Sequence, residues 1–349
     1  MSSPTMHPPL PIPPLIPHVR YGSRPSEPGW LFFGAGRQAM KFLAQNLLRQ
    51  HPSLLFIVPA YTCDSVVQAL DEAGADMVFV DVAADLDLDL AAVSGWLERS
   101  AGRKIALVPT PLFGAPVRPY KQLFPDCLVI EDRAQTLPDR DSRADFQVLS
   151  FGPGKQASGM GGGALLGGEA FRSGYSALDM ECGAVRQVAL SLVGSVLLGP
   201  AWSLVGQKVT RRHSANAIDK ESRSIDIRSL CEDRARWITH SLQTWDGAGR
   251  TRISDLYHRS IPQALRFDMP AVLPYLRYPV RASLEGPGIS SGRMYEKVVQ
   301  RAEESSRRTF PGARAVMEAS FLPTHHRVSE QHITWYADQL SGLAGPLTA

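Results

Sequence analysis

Short, almost continuously apolar runs alternate with amphipathic ones over most of this chain. The runs at 54–58, 77–82, 105–109, 127–130 and 146–151 are too short for helices, and they read as buried strands. Between them, helical spacing lies near 64–73 and 88–100, and earlier as a stripe of Met40, Leu43, Leu47 and Leu48 running through Arg49. Uninterrupted apolar strands separated by helices predict an α/β chain whose mostly parallel central sheet is covered on both faces. Ligands of such sheets bind beyond the carboxyl ends of the strands. Tyr61, Phe113, Gly114, Asp132 and Lys155 all fall just past predicted strand ends, so the topology is expected to gather them.

A glycine cluster at 159–163 leads into one further strand at 163–166, and the stretch through about Lys220 carries the least readable pattern. A helical pattern then opens at Asp226, Ile227 and Arg228 and runs through Trp237 to Leu242. A strand at 276–282, a helix at 293–308 and a last helix at 329–340, with Ser329 as its cap, predict a smaller α+β domain. The expected organisation is a proline-rich arm over 1–28, a large domain over 29–230 with a divergent apolar part at 170–220, and a small domain over 231–349.

Composition changes this picture little. A chain of 349 residues with 44% hydrophobic content can bury a sizeable core. The net charge of +3 comes from interspersed residues and gives no electrostatic case for nucleic acid. Cys63, Cys127, Cys182 and Cys231 are scattered without metal-ligand spacing, which argues against a zinc site or a disulfide framework and suits a reducing cytoplasm. The proline-broken N-terminus lacks the basic start of a secretory signal. Residues 188–206 carry no charge and approach the ~20 residues that cross a bilayer. Because Gly199 and Pro200 would break a helix midway, two short buried helices are favoured there, with membrane contact through 188–206 as the lesser alternative.

The candidate chemistry centres on Lys155, set between a strand and glycines that let backbone pack around a flat ligand. A desolvated lysine in such a place attacks aldehydes to form a Schiff base. A phosphate loop is excluded, because Leu149 and Gln156 stand where that motif needs a glycine and a hydroxyl. Asp132, after the strand at 127–130, is placed to pair with a protonated pyridine nitrogen and keep such a ring cationic, with Gln135 close to a ring oxygen. The turn Gly34, Ala35, Gly36, Arg37, Gln38 opens a helix whose free N–H groups and positive dipole end suit a phosphate.

Taken in order, GAGRQA, PAYTC, VPTPLFG, IEDRAQ, SFGPGK, GMGGGAL, LRYPV, FPGA and FLPTH resemble the DegT/StrS sugar aminotransferases, which are fold-type-I pyridoxal-phosphate enzymes. The resemblance covers about 30–340 apart from the stretch around 170–220. It implies pyridoxal 5'-phosphate as cofactor, held by Lys155 as a Schiff base, with Lys155 later moving the substrate proton. It also implies that Asp132 pairs with the ring nitrogen, that Gln135 lies near the ring hydroxyl, and that Ser150 and the backbone of Gly36, Arg37 and Gln38 hold the phosphate. A homodimer follows from the family, whose sites are completed across an interface. Three positions depart from its pattern: Arg37 replaces a hydroxyl residue, Cys63 stands where an aromatic ring usually stacks, so that either Tyr61 substitutes or the stacking is lost, and Asp226 stands where an asparagine reaches the partner's phosphate.

The implied activity is transfer of an amino group, from a donor such as glutamate, to a keto sugar, commonly nucleotide-linked, or a related polar ketone. Two alternatives stand beside it: a non-catalytic or membrane-associated binding protein on the same fold, and a sugar dehydratase or epimerase using the same cofactor.

Overall fold

A computed structural model describes residues 29–152, 155–157, 161–181, 224–286, 289–325 and 328–343. The arm at 1–28 and the apolar stretch at 188–206 lie outside the described residues, so the expectations made for them do too. Among the described helices none is long and apolar enough to cross a membrane.

The apolar runs form a nine-stranded sheet in the order β3-β2-β4-β5-β6-β7-β1-β9-β8. Its strands are β1 (Leu31–Phe33), β2 (Leu55–Pro59), β3 (Asp76–Val80), β4 (Ile105–Leu107), β5 (Leu128–Arg133), β6 (Phe146–Ser150), β7 (Gly163–Leu166), β8 (Met180–Glu181) and β9 (Ser229–Leu230). The stretch from β3 to β6 is parallel, and β7 and β1 run antiparallel to their neighbours. Each strand serves two cores, because alternate side chains leave opposite faces. In β2, Phe56 and Val58 join the cluster under helix α1 (Gly36–Gln50), whereas Leu55 and Ile57 join Val93, Leu107 and Val129 on the other face. Helices α2 (Asp64–Glu72) and α3 (Leu90–Arg99) complete the crossovers, and Asp89 caps α3 by accepting the Ala91 and Ala92 N–H groups.

A second sheet of three strands, β10 (Arg277–Val280), β12 (Ser320–Pro323) and β11 (Ser290–Ser291), packs on the helices Ala248–Ser260 and Glu330–Leu343. Ser329 caps the latter helix, its hydroxyl accepting the His332 N–H at 3.4 Å. The residue before β10 meets the turn that follows β4, since the Leu276 N–H donates to the Phe113 carbonyl at 2.7 Å.

Two local expectations are corrected. The helical pattern read from Asp226 begins only at Glu232; residues 226–228 are extended and feed β9, whose Ser229 pairs with Phe33 of β1. Ladder bonding to β1 outweighs the local helical spacing there. Asp132 does not follow its strand but lies within β5, because the partner β6 continues the pairing with Asp132 opposite Val148 and Arg133 opposite Leu149.

Candidate active site

The polar letters Glu131, Asp132 and Arg133 are sorted by the pleat. Glu131 and Arg133 leave one face, where the Arg133 guanidinium pairs with Glu131 at 2.6 Å and with Asp139 at 3.0 Å. Asp132 leaves the other, on the side of Ile130 and the large core. It is 3% exposed, and burial pushes its carboxyl up to about 6, partly offset by the positive charge of Lys155 and by the Ala134 N–H on its Oδ1 at 3.2 Å. Its Oδ2 has no hydrogen bond among the described residues.

Lys155 follows β6 in a turn whose backbone N–H donates to the Gly152 carbonyl at 3.2 Å. Its amine acts electrostatically on both Asp132 and Cys63, which places the three around one spot. Cys63 is the N-cap residue of α2, and burial raises its thiol pKa against the lowering effect of Lys155 and of the Ser65 hydroxyl, whose oxygen lies 2.9 Å from Sγ. Tyr61 is placed differently from Cys63. It is fully buried, its hydroxyl donates to the Gly292 carbonyl at 2.6 Å, and its ring meets Tyr295 edge-on at 5.2 Å.

Gln135 is held at both ends. Its Oε1 accepts the Phe113 N–H at 3.0 Å and its Nε2 donates to the Tyr295 hydroxyl at 3.0 Å. Phe113 sits at positive φ in the turn after Pro111, and that strained turn directs its N–H at the glutamine.

The amino end of α1 reaches the same end of the sheet. A Cβ on Gly36 would lie 3.0 Å from the Leu149 carbonyl oxygen and 3.1 Å from Ser150 Cβ, so glycine at residue 36 lets the helix start and Ser150 abut without crowding. The first turn of α1 contains no acidic residue, which leaves its dipole uncompensated. Gln38 contributes less than expected, because its N–H is already taken by the Ala35 carbonyl at 3.1 Å while its side-chain Oε1 accepts from Gly34 at 3.0 Å. Asp226 is exposed and paired with Arg228 at 2.6 Å, so its charge is partly neutralised within the chain. Gly163 packs against the backbone of Ala35 and Gly36 with no room for a side chain. Gly163→Ala is therefore expected to destabilise the protein by about 1–3 kcal/mol, read as a lowered midpoint in denaturant with an unchanged slope; an unchanged midpoint would contradict this packing.

Tyr295, Arg277 and Arg250 were not singled out by sequence reasoning. Tyr295 touches Tyr61 and Gln135, and burial raises its hydroxyl pKa well above the ordinary tyrosine value. LRYPV contains Arg277, but an arginine in a strand carries no local signal that it faces a site formed by residues 61–155.

No family model matches the sequence, and no curated protein matches it. Solved structures do match in fold. A DegT DnrJ EryC1 StrS aminotransferase from Brucella abortus shares 17% identity at a TM-score of 0.62, over 90% of this chain and 86% of that one. PseC of Helicobacter pylori, an aminotransferase involved in the biosynthesis of pseudoaminic acid, shares 14% at 0.61, over 90% and 86%. The E. coli GDP-4-keto-6-deoxy-D-mannose-3-dehydratase, solved with bound hydrated PLP, shares 12% at 0.60, over 89% and 87%. Over nine-tenths of its length, this chain has the fold of the DegT/DnrJ/EryC1/StrS aminotransferases and of related pyridoxal-phosphate enzymes.

Proposed function

We propose that this protein is a pyridoxal-phosphate-dependent aminotransferase that moves an amino group from an amino-acid donor such as glutamate to a keto sugar. The observation that carries this reading is the convergence of Lys155 on a buried acid, Asp132, which is open on one oxygen.

The residues suit the cofactor. Asp132 presents a desolvated carboxyl of the kind that holds a ring nitrogen protonated. The start of α1, Gly36 and Ser150 form a cradle that a side chain at residue 36 would crowd, at a helix end that favours a phosphate. Gln135 lies on the same side, fixed by Phe113 and Tyr295. When bound, the cofactor supplies an electron sink for the charge left on the substrate carbon as its proton departs.

The chain's own residues do the rest. Lys155 Nζ would be the attachment point of the cofactor and, once released, the base that moves the substrate proton between the two carbons flanking the transferred nitrogen. Asp132 keeps a positive charge facing it, and Cys63 and Tyr295 close the site with neutral groups whose raised pKa values keep them protonated at neutral pH. A homodimer working in the cytoplasm belongs to the same reading.

The test is an absorption spectrum of purified protein with pyridoxal phosphate, followed by addition of glutamate. A visible band that bleaches as glutamate is consumed is expected; absence of any band would end the proposal. The dehydratase among the fold relatives makes sugar dehydration a second reading, and product analysis separates them: an amino sugar forms in one case, a deoxy keto sugar in the other.

A further inference from the structure

The residue after Lys155 is tied to a segment more than a hundred positions away. Gln156 is buried, and its side-chain Nε2 donates to the Pro274 carbonyl at 2.9 Å. A carbonyl oxygen can only accept, so this bond fixes which end of the amide faces Pro274. Gly114 makes room for the pair. It has a φ of +95°, and a Cβ there would lie 2.9 Å from Gln156 Nε2 and 3.1 Å from the Leu276 nitrogen.

The acceptor is itself held in place. Thr324 Oγ1 donates to the Tyr275 carbonyl at 2.5 Å and lies 2.9 Å from the Leu276 carbonyl, while the Leu276 N–H donates to the Phe113 carbonyl at 2.7 Å. Residues 274–276 therefore form a fixed bracket just before β10, which meets the turn carrying Phe113 on one side and the residue after the lysine on the other.

The chain around the lysine has little stiffness of its own. Gly152 and Gly154 precede it, and Gly159, Gly161, Gly162 and Gly163 follow it. Glycine imposes weak limits on backbone angles, so such a stretch takes its course from its anchors. The Lys155 N–H on the Gly152 carbonyl closes the turn before the amine, and Ala157 packs with Leu149 and Phe151 beyond it. Gln156 is the polar anchor between them. A lysine stem is long and flexible, and where its amine reaches depends on how its backbone is pinned.

We infer that Gln156 is a positioning residue for Lys155: bonded to the Pro274 carbonyl, it pins the backbone from which the amine reaches the site beside Asp132 and Cys63. This rests on the function proposed above and adds a residue that acts through the lysine and not on the cofactor. Reacting groups misplaced by a fraction of a bond length react more slowly, so loss of the anchor is read at the amine.

The experiment compares wild type with Gln156→Met, which has a similar length and no donor, and Gln156→Asn, which keeps the donor on a shorter stem. Cofactor-free protein is treated with limiting acetic anhydride at neutral pH, and labelling of Lys155 is compared by peptide mass spectrometry with that of Lys41 and Lys121, both ion-paired elsewhere. Gln156→Met is expected to label Lys155 roughly 5-fold faster, the factor that corresponds to one neutral hydrogen bond, with Lys41 and Lys121 unchanged and Gln156→Asn in between. On mixing with pyridoxal phosphate, the visible band of Gln156→Met is expected to rise about 10-fold more slowly, while borohydride still traps the cofactor on Lys155. The inference is overturned if Lys155 labelling and the rate of band formation both match wild type. It is equally overturned if all three lysines label faster together, the mark of general loosening. Failure of the cofactor reading shows separately, as absence of a band in wild type, and the labelling comparison then decides the positioning role alone.

Discussion

Lys155→Ala is expected to lose the visible band on addition of pyridoxal phosphate and to lose turnover by at least about 10³-fold, since the substitution removes both an attachment point and a positioned base. The protein is expected to stay folded. Lys155 lies in a turn held by its backbone N–H on the Gly152 carbonyl, and that bond survives the change. Lys155→Arg keeps a positive charge beside Asp132 and Cys63 but carries no amine that deprotonates, so it should be equally inactive. A small exogenous amine should restore part of the activity to Lys155→Ala and none to Lys155→Arg. A further readout is electrostatic. Without the lysine, the Asp132 carboxyl loses a charge that lowers it and moves further above about 6. A Lys155→Ala protein that kept the band would remove the proposed chemistry and leave only the fold.

Asp132→Asn should have the next largest effect, with two consequences of opposite sign. Turnover should fall on the order of 10²–10³-fold, because a neutral amide no longer holds a positive ring nitrogen in a desolvated place. Stability of the cofactor-free protein at neutral pH should rise instead. The unfolded chain gives up this proton near pH 4, while the folded chain holds it to about 6. The stability lent by the protonated acid is thus present below about pH 4 and lost as pH rises through about 6, amounting to about 2–3 kcal/mol at neutral pH. An asparagine has no such loss. The melting difference between variant and wild type is therefore expected to grow from near zero at about pH 4 to several degrees at neutral pH. A difference that stays flat across that window would mean the carboxyl is not held protonated in the folded state.

Both arguments use residues that stand out in the linear chain, and the reason is physical. A strand's side-chain period is two, so the apolar runs announce a covered sheet, and an acid or a lysine at the end of such a run has few innocuous places to go. Gly36 was legible as part of a glycine-led helix start, whereas the packing of Gly163 on the Ala35 and Gly36 backbone is a contact between distant segments. The boundaries read less well. The helix at 232–243 starts later than its spacing suggests because Ser229 bonds to β1, a partner nearly two hundred residues away in sequence. Tyr61, a candidate for stacking, is instead packed against Tyr295 with its hydroxyl committed to Gly292, both from the far end of the chain.

The sequence by itself determined the layered sheet, the lysine, the acid one strand earlier and the glycine-led helix start, because each depends on the local period of the backbone or on neighbours within one strand–helix unit. The tertiary structure alone decided what fixes Gln135 and that Arg250 and Arg277 lie near each other without an acid among the described residues. Those outcomes rest on contacts between separate segments, such as Tyr295 on Gln135 and Leu276 on Phe113, and burial and field at a site are sums over such contacts that no stretch of chain carries alone.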